Sequence, residues 1–78
     1  MNPRERRLYK IWQTLISACD EGRVPDGHYG PETCRWASAA ETKALGLDSV
    51  PLVHIAEDGR IDCAITETDV IPVENPPQ

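Results

Sequence analysis

The chain contains no phenylalanine, and its aromatic residues are two tryptophans and two tyrosines among 78 positions. With 40% hydrophobic residues and so few large rings, its core is thin, and burial exceeds the entropy cost of ordering the chain only modestly. A stable monomer is compatible with this composition, and a homodimer that buries more apolar surface would relieve the shortage. No apolar run approaches the roughly 18 residues that a membrane span needs, which predicts a soluble protein. The three cysteines, Cys19, Cys34 and Cys63, form no C-x-x-C pair and follow no signal peptide, a pattern that predicts reduced thiols in a cytoplasmic protein. Gly-rich phosphate loops, internal repeats and low-complexity tracts other than the last residues are absent too.

Positive charge is scarce where a nucleic-acid binder would need it. The formal charge is −5, whereas neutralising phosphates calls for clustered Lys and Arg. Arg4, Arg6, Arg7 and Lys10 crowd the first turns, and from Val24 onward ten Asp and Glu residues face only Arg35, Lys43 and Arg60. One reading is a solvated surface of mixed charge; the sharper one is an acidic face that docks on a basic partner.

A chain of this length holds one small domain, assigned to residues 1–73, with a disordered tail over 74–78. Leu8, Ile11, Trp12, Leu15, Ile16 and Cys19 lie on one stripe at helical spacing. Asn2 suits the N-cap, Pro3 the first helical position and Gly22 the stop, so a helix is predicted from about Pro3 to Glu21. Its basic start and acidic end oppose the helix dipole, which suggests that something other than helix stability placed them. Arg23 to Gly30 reads as a loop. Ser38 and Glu41 have capping-box spacing ahead of a short helix from about Ala39 to Leu45.

From Val50 the pattern becomes β-type. Val50 to Ala56 and Ile61 to Thr66 flank the hairpin signal Glu57-Asp58-Gly59-Arg60. A two-residue turn pairs His54 with Cys63. A three-residue loop with Gly59 left-handed pairs His54 with Asp62 and sets Val53 and Ile55 beside Ile61, Cys63 and Ile65; the second gathers the bulkier apolar residues and is preferred. Val70 to Val73 adds a short edge strand interrupted by Pro72. The expected fold is α+β, with a long N-terminal amphipathic helix and a short second helix covering one face of a small antiparallel sheet.

The run Tyr29-Gly30-Pro31-Glu32-Thr33-Cys34-Arg35-Trp36-Ala37-Ser38, with Asp26-Gly27 before it and Glu41 after it, resembles a D-G-x-Y-x-P-E-N-C-R-W-A-T-x-x-E-Q segment of phage-type HNH homing endonucleases. Leu8-Tyr9-Lys10-Ile11-Trp12 looks like the helix that opens many of them. The resemblance implies a segment that links a metal-binding turn to the last helix of a ββα-metal unit. A nuclease of that kind needs a metal-binding pair and a histidine base, yet Glu21, Gly22, Arg23, Val24 and Pro25 stand where the metal pair belongs, Thr33 replaces an asparagine, and the basic end of the helix is Thr42-Lys43-Ala44-Leu45-Gly46. The resemblance therefore implies a relic that keeps structural joints without catalytic groups. Read without ancestry, the same stretch turns at Gly27 and Gly30, drops Trp36 into the core against Trp12 and starts a helix at Ser38.

Other groupings are weaker. Cys19, His28 and Cys34 lack the tight ligand pairs of structural zinc sites. Cys63, His54 and Asp62 are the residue types of a nucleophile, base and orienting acid, but adjacent Asp62 and Cys63 are expected on opposite faces of a strand. His54 and Asp62 are expected as an exposed cross-strand pair, and His28 as a solvent-facing loop residue. No catalytic, cofactor or metal-binding set is assigned.

The function expected is that of a non-enzymatic interaction protein, encoded by a phage or other mobile element, that regulates or inhibits host defence or nucleic-acid machinery. Glu57, Asp58, Asp62, Glu67 and Asp69 would meet a basic surface of a protein partner. The alternatives are a DNA-binding relic using Arg4, Arg6, Arg7 and Lys10, and a structural homodimer.

Overall fold

The computed structural model describes residues 2–25 and 27–73; the tail assigned to 74–78 lies outside them. Helix α1 spans Pro3–Asp20. The Asn2 side chain accepts from the Glu5 amide at 2.8 Å and its own amide donates to the Glu5 carboxylate at 2.9 Å, which satisfies a donor the first turn would otherwise leave free. The helix stops where Gly22 takes a left-handed φ of 70° and the Arg23 amide reaches back to the Ala18 carbonyl at 2.8 Å, a closure that glycine makes without steric cost. Helix α2, Ala39–Ala44, starts with both bonds of the expected capping box.

Four strands form one antiparallel sheet in the order β1-β2-β3-β4: β1 Cys34–Trp36, β2 Leu52–Ile55, β3 Ile61–Ile65 and β4 Val70–Pro72. Of these, β1 was not expected. Its three residues pair along β2, Cys34 with His54 and Trp36 with Leu52, so the stretch read as a join supplies an edge strand.

Alternation along the strands divides the apolar side chains between two faces. Leu52, Cys63, Ile65 and Val70 meet Ile11, Leu15 and Ala18 of α1. Val53 and Ala64 point the other way and gather Ala37, Leu45, Ile55, Ile61 and Ile71. The two helices therefore do not share one face as expected: Leu45, at the end of α2, joins the cluster opposite α1. Splitting a thin core in this way works because the strand residues are buried on both sides; Val53, Cys63, Ala64 and Ile65 are all 0% exposed.

The β2–β3 hairpin corrects the expected register. The loop is the three-residue form, with the Ala56 amide bonded to the Arg60 carbonyl at 2.8 Å and Gly59 left-handed at φ 86°. A shift then intervenes between His54 and Ile55: Ile55 pairs with Ile61, but His54 pairs with Cys63. Asp62 is the extra residue of a β-bulge. Cys63 and Ile65 consequently face α1 instead of sharing a side with Val53 and Ile55.

Trp36 is only half-buried. Arg4 and Arg7 lie over its ring at 5.7 and 5.5 Å from the centroid, and Trp36 and Trp12 both border the α1 cluster without either forming its centre. The basic start of α1 thus serves cation–π contacts and an Arg7–Glu67 ion pair at 2.6 Å, which offset a mild conflict with the helix dipole.

Candidate functional site

His54 lies on β2, 2% exposed, and the groups around it come from two other parts of the chain, the loop before β1 and the bulge of β3. The bulge turns Asp62 towards it, with Oδ1 2.7 Å from Nδ1. Nε2 is 2.8 Å from the backbone carbonyl of His28, and the Tyr29 ring stacks on the imidazole at 3.9 Å between centroids and 24° between planes. Tyr29 is itself held by donating its hydroxyl to the Pro25 carbonyl at 2.7 Å. The 27–34 segment is thereby clamped onto the sheet, and the Thr33 hydroxyl, 3.0 Å from the same His28 carbonyl, closes its turn.

Hydrogen-bond inventory sets the protonation of this centre. A carbonyl can only accept, so Nε2 carries a proton. Nδ1 is then the nitrogen turned towards the Asp62 carboxyl. The side chains are 3% and 21% exposed, a burial that an unpaired charge would not tolerate. The expectation of a solvent-exposed cross-strand pair is corrected: His54 is interior, and Asp62 reaches it from the bulge, not from the opposite position.

Cys63 adjoins the pair on the α1 side. The nearest donor atoms of His54, Asp62 and Cys63 all lie within 4.8 Å of one another. Asp62 and Cys63, expected on opposite faces of the strand, thus both lie beside His54, because the bulge suspends strict alternation. Burial, followed by the charge of Asp62, pushes the Cys63 thiol up to about 12; a nucleophilic cysteine requires the opposite displacement. Burial also raises the Tyr29 hydroxyl, with Cys63 and Asp62 adding to it, and raises the half-buried Cys34 thiol.

On its solvent side the centre forms the floor of a cleft of about 780 Å³ whose carboxylates are Glu32, Glu57, Asp58 and Asp62. Among the described residues, none lining it is Lys or Arg. His28 is exposed, as expected, and contacts Glu32 across one turn. Glu32 is held below the usual carboxylate range by its own backbone amide and by that ring.

The five acidic residues expected to form one docking face are divided between the two ends of β3. Glu57, Asp58 and Asp62 stand at the cleft, while Glu67 and Asp69 lie beyond the far end of the strand, paired with Arg7 at 2.6 Å and Arg23 at 3.0 Å. The four basic residues also divide. Arg4 and Arg7 cover Trp36, and Arg6 and Lys10 occupy exposed positions of α1. Of the grouping Cys19, His28 and Cys34, Cys19 is exposed on α1 and Cys34 is half-buried on β1. Sequence reasoning missed Tyr29 as the partner of His54; an aromatic residue between Gly27 and Gly30 in an otherwise polar loop was the available signal.

No protein family, curated protein or solved structure matches this chain.

Proposed function

We propose that the protein is a non-enzymatic binding protein that receives a basic segment of a protein partner in the carboxylate-lined cleft beside His54. The observation that carries this reading is the cleft wall itself, with Glu32, Glu57, Asp58 and Asp62 around one concavity and no Lys or Arg among its described lining residues. A guanidinium or ammonium group entering there meets acceptors that no Lys or Arg holds closely, unlike one approaching Glu67 or Asp69, which are already paired with Arg7 and Arg23. The non-enzymatic part is supported by a Cys63 thiol held protonated in the core and by a His54 whose two nitrogens are both engaged. Regulation or inhibition of host nucleic-acid or defence machinery, by a protein of phage or mobile-element origin, is the biological form we give it: a surface that meets phosphates presents the basic segment this cleft accepts.

Calorimetric titration with an arginine- and lysine-rich peptide tests the reading. Affinity should fall as salt rises and drop about tenfold, or roughly 1.4 kcal/mol, in the double variant Glu57→Gln, Asp58→Asn. An affinity insensitive to both changes would remove it.

A further inference from the structure

We infer that His54, Asp62 and Cys63 form a binding site for a zinc-type divalent ion, reached from the cleft and completed by solvent at the fourth position. The inference shares Asp62 with the partner-binding reading, but it rests on the His54 centre and is tested with metal alone, without any peptide.

Three observations lead to it. The ligand types are an imidazole nitrogen, a carboxylate oxygen and a thiol sulfur, a set that suits zinc and cobalt and that magnesium and calcium do not choose. Their nearest donor atoms already lie within 4.8 Å of one another. In a tetrahedral zinc site such atoms stand about 3.3 to 3.6 Å apart, so from 4.8 Å at the outside the thiol needs to approach by at most about 1.2 Å, and the His54–Asp62 contact, now 2.7 Å, to open by about 0.6 Å. Shifts of that size are within the reach of side-chain rotation.

The third observation is the bond from Nε2 to the His28 carbonyl at 2.8 Å. A ligating histidine characteristically donates its other ring N–H to a carbonyl or carboxylate, which fixes the tautomer and aims the free lone pair at the metal. Here the donation leaves Nδ1 as the ligating atom, and Nδ1 is the nitrogen that faces Asp62. The Tyr29 ring stacked at 3.9 Å holds the imidazole plane in place. The cation would stand between Nδ1 and the Asp62 carboxyl, and Cys63 gives up its proton on binding, as thiol ligands do. The bulge is what makes the set possible. In an unbroken ladder Asp62 and Cys63 would project from opposite faces, and no ion could touch both.

Cobalt(II) added to the chelator-treated, intact protein reads the site directly. One equivalent should produce a sulfur-to-cobalt charge-transfer band together with the visible bands of a tetrahedral ion, and one equivalent of zinc should abolish both. Cys63→Ser should lose the charge-transfer band, and Asp62→Asn should weaken zinc in chelator competition by about 10- to 100-fold or more, the scale on which even outer-shell partners act. Cys19→Ser, altered on the exposed face of α1, should leave both readouts unchanged. Circular dichroism of each variant establishes that it is folded, and Asp62→Asn, on the solvent side of the centre, serves if Cys63→Ser is not. The proposal is overturned if the folded wild-type protein gives no charge-transfer band with cobalt, if the band survives Cys63→Ser, or if it depends on Cys19.

Discussion

Both ring nitrogens of His54 face oxygen, and the surrounding 27–34 segment is folded so that they do. Removing the Asp62 carboxylate leaves Nδ1 of a buried ring without its acceptor, which costs about 1–3 kcal/mol. Asp62→Ala should therefore lower the free energy of unfolding by that amount, seen in urea as a lower midpoint at unchanged slope. Cys63 provides a second prediction at this scale. Its thiol is raised from an ordinary value of 9.0 to about 12, so between those limits the unfolded chain loses a proton that the folded chain keeps. Stability present below pH 9 should thus decline as pH rises towards 12. A Cys63→Ala variant, although weakened by its lost packing, should show a shallower alkaline decline in thermal melts. In native protein iodoacetamide should modify exposed Cys19 first and reach buried Cys63 only on unfolding.

At the scale of elements, α2 depends on its start. Glu41 accepts from the Ser38 amide at 2.8 Å and from both terminal nitrogens of Arg35 at 2.8 and 3.0 Å, so one carboxylate closes the capping box and ties α2 to β1. Chiefly through Arg35, and then through the Ser38 amide, its carboxyl is lowered from 4.5 to about 2. The stability this contributes is complete above about pH 4.5 and is lost as pH falls towards 2, where the folded state also binds the proton. Glu41→Gln should remove that acid-sensitive component, and Ser38→Ala should cost about 1 kcal/mol at neutral pH, both read by denaturant titration across pH.

Elements with a local signal were legible in the sequence. The apolar stripe from Leu8 to Cys19, the Asn2 cap, the Ser38–Glu41 box and the Gly59 loop each rest on interactions within a few residues, and each is present. The bulge has no such signal. Whether Asp62 pairs with His54 or slips past it depends on contacts from Tyr29, His28 and α1, elements far away in the chain, and a one-residue slip reverses which side chains share a face. That single slip hid the candidate site. It made Asp62 and Cys63 look incompatible and His54 look exposed. Strand β1 was hidden for a related reason: Cys34-Arg35-Trp36 is too short to show alternation and is extended only because β2 offers it an edge.

For the whole molecule, the charge of −5 is not spread evenly. Ion pairs with Arg7 and Arg23 occupy the acids beyond the far end of β3, whereas no arginine stands as close to the cleft carboxylates: Glu32 and Asp62 meet histidines and Asp58 has a distant Arg60 at 3.9 Å. Four carboxylates thus stand together at the cleft, and long-range steering of a basic partner should act there. Heteronuclear NMR of the ¹⁵N-labelled protein titrated with an arginine- and lysine-rich peptide tests this most directly. Amide shifts are predicted to cluster at Gly27, Thr33, Ile55, Ala56 and Asp58 and to disappear in the Glu57→Lys, Asp58→Lys protein. Shifts confined to the Glu67–Asp69 end or to α1, or persistence of the cleft shifts after charge reversal, would contradict the account.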